Sequence, residues 1–298
     1  MNKNIALVLG SGGARGVAHI GVIHELVSQG YQITSVAGAS MGAVIGGIYA
    51  SGKLDEYEKW ICQLDKLDVF NLIDFTLSGS GIIKADRVLN EIRKFIPDRN
   101  IEDLPVPFTA IATDIRNKKE ICFTTGSLYR AIRASISIPM VVTPSYVDGI
   151  LLVDGGILNP VPVNRVKRTP GDMLVAVNVT AQIPLPENRQ EEKKNSHLSN
   201  LTNGKLKAVQ EKLSHLFPSN KKDSMGYFEL MTETTALMLS QIAKLNLELN
   251  PPDLLIEISR QVCGTFEFHK ATELVEAGRI AARKALENKI KVAKPLAK

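Results

Sequence analysis

The stretch most able to do chemistry is Gly38-Ala39-Ser40-Met41-Gly42, a Gly-x-Ser-x-Gly run between two apolar segments. Ile33-Thr34-Ser35-Val36-Ala37 before it is β-branched enough for a strand, and Ala43 to Ala50 after it is small and apolar enough for a buried helix. A serine at such a strand-to-helix corner sits on a sharp, strained turn. Gly38 and Gly42 keep Cβ atoms out of the bend, so the hydroxyl projects clear of the backbone. The first N–H groups of the following helix have no partner within it and point where negative charge can collect. This is the layout of a nucleophile elbow. In isolation the same run would suit a helix with a Ser/Gly-rich start.

A second glycine-rich turn, Gly10-Ser11-Gly12-Gly13-Ala14-Arg15-Gly16, follows the apolar run Ile5-Ala6-Leu7-Val8-Leu9. Such turns cradle phosphates in dinucleotide-binding folds, but that pattern needs glycine where Arg15 stands. It also needs an acidic residue at the end of the next strand, which here ends in Gly38-Ala39-Ser40. Gly47 to Lys53 imitates a phosphate loop, yet Leu54 replaces the required hydroxyl residue. Neither stretch reads as a nucleotide site. An oxyanion hole explains the first loop better, because adjacent glycines let backbone N–H groups approach a reacting carbonyl. Each such donor is worth roughly 3 to 4 kcal/mol to the transition state. With the first two strands as neighbours, the amides of Gly12, Gly13, Ala14 and Arg15 are the candidate donors facing Ser40.

Ser40 then needs a base. The chain has five histidines, His19, His24, His197, His215 and His269. None follows a strand end in a Gly- or Pro-rich corner, and each reads as a structural or surface residue. Asp154 does end a strand-like run, Ile150-Leu151-Leu152-Val153, and Gly155-Gly156 lets the chain turn tightly around it. A carboxylate shielded there by apolar neighbours gains basicity. Asp-Gly-Gly alone would suit a plain turn, as Asp148-Gly149 does. Beside the elbow and the glycine loop, it points to a Ser40–Asp154 dyad.

The surrounding elements read as a β-loop-α start, repeated, and hence as a parallel sheet. Helices are expected over Leu54–Lys66, Ala85–Phe95, Leu128–Ser135, Tyr227–Leu249 and Ala271–Lys291. Strands are expected over Phe108–Thr113, Glu120–Thr124, Met173–Val179 and Leu254–Ile258, with a hairpin at Asp148-Gly149. The stretch 68–81 reads as irregular. From about 180 to 225 the composition turns polar, an excursion in which Leu198, Leu201, Leu206, Val209, Leu213, Leu216 and Phe217 keep a helical spacing with lysines between. That pattern fits packing on the same domain or a membrane surface. One domain spanning residues 1–298 is expected.

A net charge of +5, without a zinc-finger spacing or long basic run, argues against nucleic acid as a partner. It is compatible with peripheral contact to a membrane. Three scattered cysteines, Cys62, Cys122 and Cys263, fit buried thiols in a reducing compartment. No metal-ligand spacing is read and no cofactor is expected. The start of the chain lacks a signal-peptide pattern, and no apolar stretch is long enough to span a bilayer. A cytoplasmic, membrane-peripheral protein is expected.

Taken as a triple, Gly10-Ser11-Gly12-Gly13-Ala14-Arg15-Gly16, Gly38-Ala39-Ser40-Met41-Gly42 and Asp154-Gly155-Gly156 resemble the signatures of patatin-like phospholipases, in order and in spacing. The glycine loop most resembles the neuropathy-target-esterase branch. The resemblance covers roughly residues 5 to 180, and Ser11 departs from the glycine that many members carry. It implies a three-layer α/β/α sandwich with a mainly parallel central sheet, a Ser–Asp dyad without histidine, and hydrolysis of phospholipid or lysophospholipid acyl esters. An acyltransferase on the same elbow, or a non-catalytic regulatory or membrane-binding protein, are the competing expectations. Arg15 suits either a substrate phosphate or a structural ion pair. Head group, acyl length and oligomeric state are not legible in the sequence.

Overall fold

The computed structural model describes residues 3–73, 84–185 and 227–293. The expected amphipathic helix over 198–217 and the Ser78–Gly81 turn lie outside them. One sheet runs through the described residues, in the order β5-β6-β3-β2-β1-β7-β8, with β4 paired to β3. Its strands are β1 (Asn4–Leu9), β2 (Gln32–Ala39), β3 (Phe108–Asp114), β4 (Lys119–Phe123), β5 (Ser145–Val147), β6 (Ile150–Asp154), β7 (Met173–Ala181) and β8 (Leu254–Ser259). The centre β3-β2-β1-β7-β8 is parallel, while β4, β5 and β6 join antiparallel at one edge. The mainly parallel sheet of an α/β sandwich is therefore present.

The helices are α1 (Ala18–Ser28), α2 (Met41–Ala50), α3 (Leu54–Ile61), α4 (Lys66–Asn71), α5 (Asp86–Arg93), α6 (Leu128–Ser135), α7 (Tyr227–Leu249) and α8 (Ala271–Ala293). Two differ from expectation. The helix expected over Leu54–Lys66 stops at Ile61, and a separate short helix, α4, occupies part of the stretch expected to be irregular. Its cause is local: the Asp65 carboxylate accepts from the amides of Leu67 and Asp68, and Asp68 returns a bond to the Asp65 amide. The cysteines also differ from the expected buried thiols, since Cys263 is buried but Cys122 is exposed.

β1 is buried on both faces, as its unbroken apolar run requires. Ile5, Leu7 and Leu9 point into a large core shared with α1, α2, α5, α6 and α8. Ala6 and Val8 point the other way, into a smaller core closed by Val161, Val163, Val166 and Ala243 of α7. The sheet is thus sandwiched, thickly on one side and thinly on the other. α7 turns Leu230, Leu237, Met238, Leu245 and Leu249 to the outside. No described helix is long and apolar enough to cross a membrane.

α1 and α8 lie backbone against backbone. A Cβ on Gly278 would sit 1.9 Å from the Ala18 carbonyl oxygen, and one on Gly21 would sit 1.8 Å from that of Val275. Glu25 of α1 and Arg283 of α8 add an ion pair at 3.1 Å. Gly278→Val should therefore force the helices apart and destabilise the protein by about 1 to 3 kcal/mol or more, read as a lower urea midpoint.

Candidate active site

Register brings the three sequence signatures together. β1 and β2 are neighbours, with Leu9 opposite Gly38, so the loops after both strands leave the same end of the sheet. β2 pairs with β3 up to Ala39 opposite Ile111, and β6 takes up β3 one residue further on, with Asp154 opposite Ala112. Ser40 and Asp154 therefore fall at the same point of the sheet from opposite sides of the chain.

Ser40 caps α2 with φ 55° and ψ −123°, a backbone conformation that residues with a side chain rarely adopt. Two contacts explain the flanking glycines. A Cβ on Gly38 would stand 2.3 Å from the Gly42 carbonyl oxygen, and one on Gly42 would stand 2.0 Å from that of Leu9. The turn is pressed directly against β1. The Ser40 amide donates to Ser135 Oγ at 2.9 Å, and Ser135 in turn donates to the Ile111 carbonyl at 2.6 Å. Ser135 lies 95 residues away in sequence, and nothing in its surroundings there marks it.

Asp154 ends β6 and is 5% exposed. Its Oδ1 accepts the Gly156 amide at 2.7 Å. Its Oδ2 is buried with no hydrogen-bond partner. Burial pushes this carboxyl up to about 6, and the nearby Ser40 hydroxyl and the Gly156 amide pull it back only in part. The Ser40 hydroxyl is the side-chain group that acts on this carboxylate, and Oδ2 is held by no other.

The glycine loop is tied down at several amides. Gly10 donates to Val177, Ser11 to Pro160 and Ala14 to Thr265, at 3.0, 2.8 and 2.8 Å. The Ala14 amide is therefore already engaged. The amides of Gly12 and Gly13 open a 3-10 turn over Gly13–Val17 and donate to no other described residue. Gly13 has φ 57°, and a Cβ there would meet the Thr265 carbonyl at 2.6 Å. The Arg15 guanidinium, which the sequence suits to a substrate phosphate or to an ion pair, donates here to the Cys263 carbonyl at 2.9 Å and reaches Thr265 Oγ1 at 3.4 Å. Its burial lowers its pKa from the ordinary arginine value.

Among the described residues no histidine is bonded to Ser40 or Asp154. His19 is fully buried, with Nε2 donating to the Gly10 carbonyl at 2.8 Å, and its pKa is pushed down to about 4 by burial. It braces the glycine loop as a neutral ring. His24 bonds Glu58 at 2.7 Å. With Asp55 these make a set of ligand-type atoms within 4.8 Å of one another. Arg279 approaches Glu58 at 3.9 Å, so the set reads as an ion-pair network joining α1, α3 and α8. His197 and His215 lie outside the described residues.

Ser40 and Gly13 open onto a cavity of about 160 Å³. Its wall is apolar, with Val44, Tyr57, Trp60, Leu64, Leu89 and Ile92 among its side chains. Sequence reading missed this wall, because it is assembled from apolar side chains of α2, α3, α4, α5 and the turn after α6 that belong to no chemical motif. The arrangement can hold an apolar chain with a carbonyl carbon near Ser40.

The patatin-like phospholipase family model matches residues 7–166, which include all three signatures. The chain is 36% identical to an uncharacterised NTE-family protein of Mycobacterium bovis, over 96% of this chain and 92% of that one. It is 29% identical to a longer uncharacterised NTE-family protein of Mycobacterium tuberculosis, over 96% of this chain and 47% of that one. Patatin-like phospholipase domain-containing protein 7 of Rattus norvegicus matches at 32% over 59% of this chain and 13% of its own length. A match through more than half the chain, together with a relative of nearly equal span, makes the chain a member of the patatin-like phospholipase family, on its NTE side.

Proposed function

We infer from family membership that the chain is a hydrolase acting on lipid esters. We propose that this chain is a serine esterase, of phospholipase A or lysophospholipase type, working through a Ser40–Asp154 dyad. The observation that carries the reading is one buried carboxylate oxygen without a partner, beside a strained serine that opens on an apolar cavity. Ser40 Oγ attacks the ester carbonyl while Asp154 Oδ2 takes its proton. The carbonyl electrons move onto oxygen, where the free amides of Gly12 and Gly13 and the start of α2 stabilise the charge. Asp154 returns the proton to the departing alkoxide, leaving the acyl group on Ser40. Water, deprotonated by the same carboxylate, then releases the fatty acid and restores Ser40. The Ala14 amide, already donating to Thr265, drops out of the donor set expected from the sequence. The arrangement asks for no metal or cofactor.

Ser40→Ala should lose ester turnover by roughly a thousandfold or more while its circular dichroism is unchanged. Fluorophosphonate should label Ser40 in the wild type. A folded wild type that takes no label and turns over no ester would favour a non-catalytic scaffold, and acyl products formed on added alcohols in place of free acid would favour a transferase.

The base must be ionised, so turnover should rise with pH through about 6 and level off above it. A rate falling as pH rises through that range would remove Asp154 from the role. The same shift affects stability. The folded chain holds this proton more tightly than the unfolded chain, whose value is 3.8. Stability therefore falls as pH rises between about 4 and 6, and the deficit is complete above that. Asp154→Asn keeps an oxygen for the Gly156 amide and escapes the buried charge. It should be inactive yet more stable than the wild type at pH 8, by up to about 3 kcal/mol, with the gap closing below about pH 4 in thermal melts.

A further inference from the structure

α4 has no buried residue, yet it is apolar on two sides. Val69 and Leu72 line the cavity at Ser40, while Leu67, around the helix from them, is 64% exposed. Two other segments repeat the arrangement. Ile138 and Val142 line the cavity, and Met140 between them is 41% exposed. Thr265 and Phe268 line it, and Phe266 both lines it and is 46% exposed. Three separate segments thus border one cavity with apolar side chains turned to water, a grouping that marks a contact surface. Ionic groups of both signs stand on and beside these segments, Lys66, Lys84, Arg87, Arg133 and Lys270 with Asp65, Asp68, Asp86, Glu267 and Glu273. Several are already occupied, Lys270 with Glu267 at 2.8 Å, Asp86 with Arg133 at 3.3 Å, and Asp65 with Asp68 in the helix cap.

We propose that this rim, centred on Leu67, Met140 and Phe266, docks the protein on a lipid surface and passes an acyl chain from it into the cavity. The inference rests on the ester-hydrolase reading, which is what gives the cavity an acyl chain to receive. A rim of mixed charge with apolar tips binds by burying those tips rather than by attraction to anionic headgroups. The occupant is therefore the lipid surface itself, whatever its headgroup charge. α7 offers a second exposed apolar stripe, but none of its residues lines the cavity, so it serves as the internal control.

The test is co-sedimentation with phosphatidylcholine vesicles in a Ser40→Ala background, where binding is read without turnover. Leu67→Gln keeps a helix former in α4, and Met140→Asn suits the positive φ of 68° at that position. The double variant should bind vesicles about tenfold more weakly, or less. Neither added phosphatidylglycerol nor raised salt should change binding much. With Ser40 intact, the double variant should keep its turnover of a water-soluble short-chain ester and lose turnover of an ester held in vesicles. Leu237→Gln with Met238→Gln should change neither. The proposal is overturned by parent protein that ignores vesicles, by unchanged binding in the double variant, or by loss in the α7 variant instead. Binding that needs anionic lipid also overturns it, as does loss of a dimer, seen by light scattering, in the double variant. Vesicle binding through the rim without turnover of any ester would sink the hydrolase reading and leave the docking surface standing.

Discussion

Ser40 is held where its own backbone would not stay. At φ 55° a residue with a Cβ is strained, by of order 1 to 3 kcal/mol, and only the surrounding structure keeps it there. Three restraints act at once. Gly42 packs its Cα against the Leu9 carbonyl, Gly38 packs against Gly42, and Ser135 grips the Ser40 amide from β3's side. The first requires the parallel pairing of β1 with β2, the second is local to the turn, and the third requires α6 to lie over β3. The corner is thus a product of the sheet's whole central half, and loosening any of these strands would let the hydroxyl drift.

The asymmetry of the sandwich follows the same logic. The thick core carries α2, whose small residues let it press on the strands, and the apolar cavity is an extension of that core toward the surface. Among the described residues, the opposite face is covered by the 161–166 segment and α7. Binding space lies on the well-supported side, where a void is bounded by elements that are themselves packed. Asp154 sits at the boundary, with one oxygen held by the turn that follows it and the other facing a site that water reaches poorly. Its raised pKa comes from that position, and in the proposed mechanism the stability forfeited by burying the carboxylate is what fits it to serve as a base near neutral pH.

Much of this was legible in the chain, because buried parallel strands write themselves as unbroken apolar runs. Ile5–Leu9 and Met173–Val179 are both strands in the structure, and α7 spans Tyr227–Leu249 as its helical pattern predicts. The hairpin at Asp148-Gly149 joins β5 to β6, both residues having positive φ. α4 was not legible by periodicity, since six residues hold less than two turns and its signal is a pair of capping aspartates. Within the site, Ser40, Asp154 and the glycine loop stand out through glycine spacing, and the structure brings them to one end of the sheet. Ser135, Thr265 and the cavity wall do not stand out. Each acts through a contact between residues far apart in sequence, and single-residue chemistry does not encode such a contact.

Thr265 has a consequence of another kind. Its carbonyl receives the Ala14 amide across 251 positions of chain, and Cys263 and Thr265 together receive the Arg15 guanidinium. The matched family stretch ends at residue 166, so it contains the serine, the aspartate and the glycines but not the group that fixes the loop's shape. In order of synthesis, the segment before α8 that anchors Ala14 and Arg15 therefore comes after every residue of the proposed dyad and glycine loop.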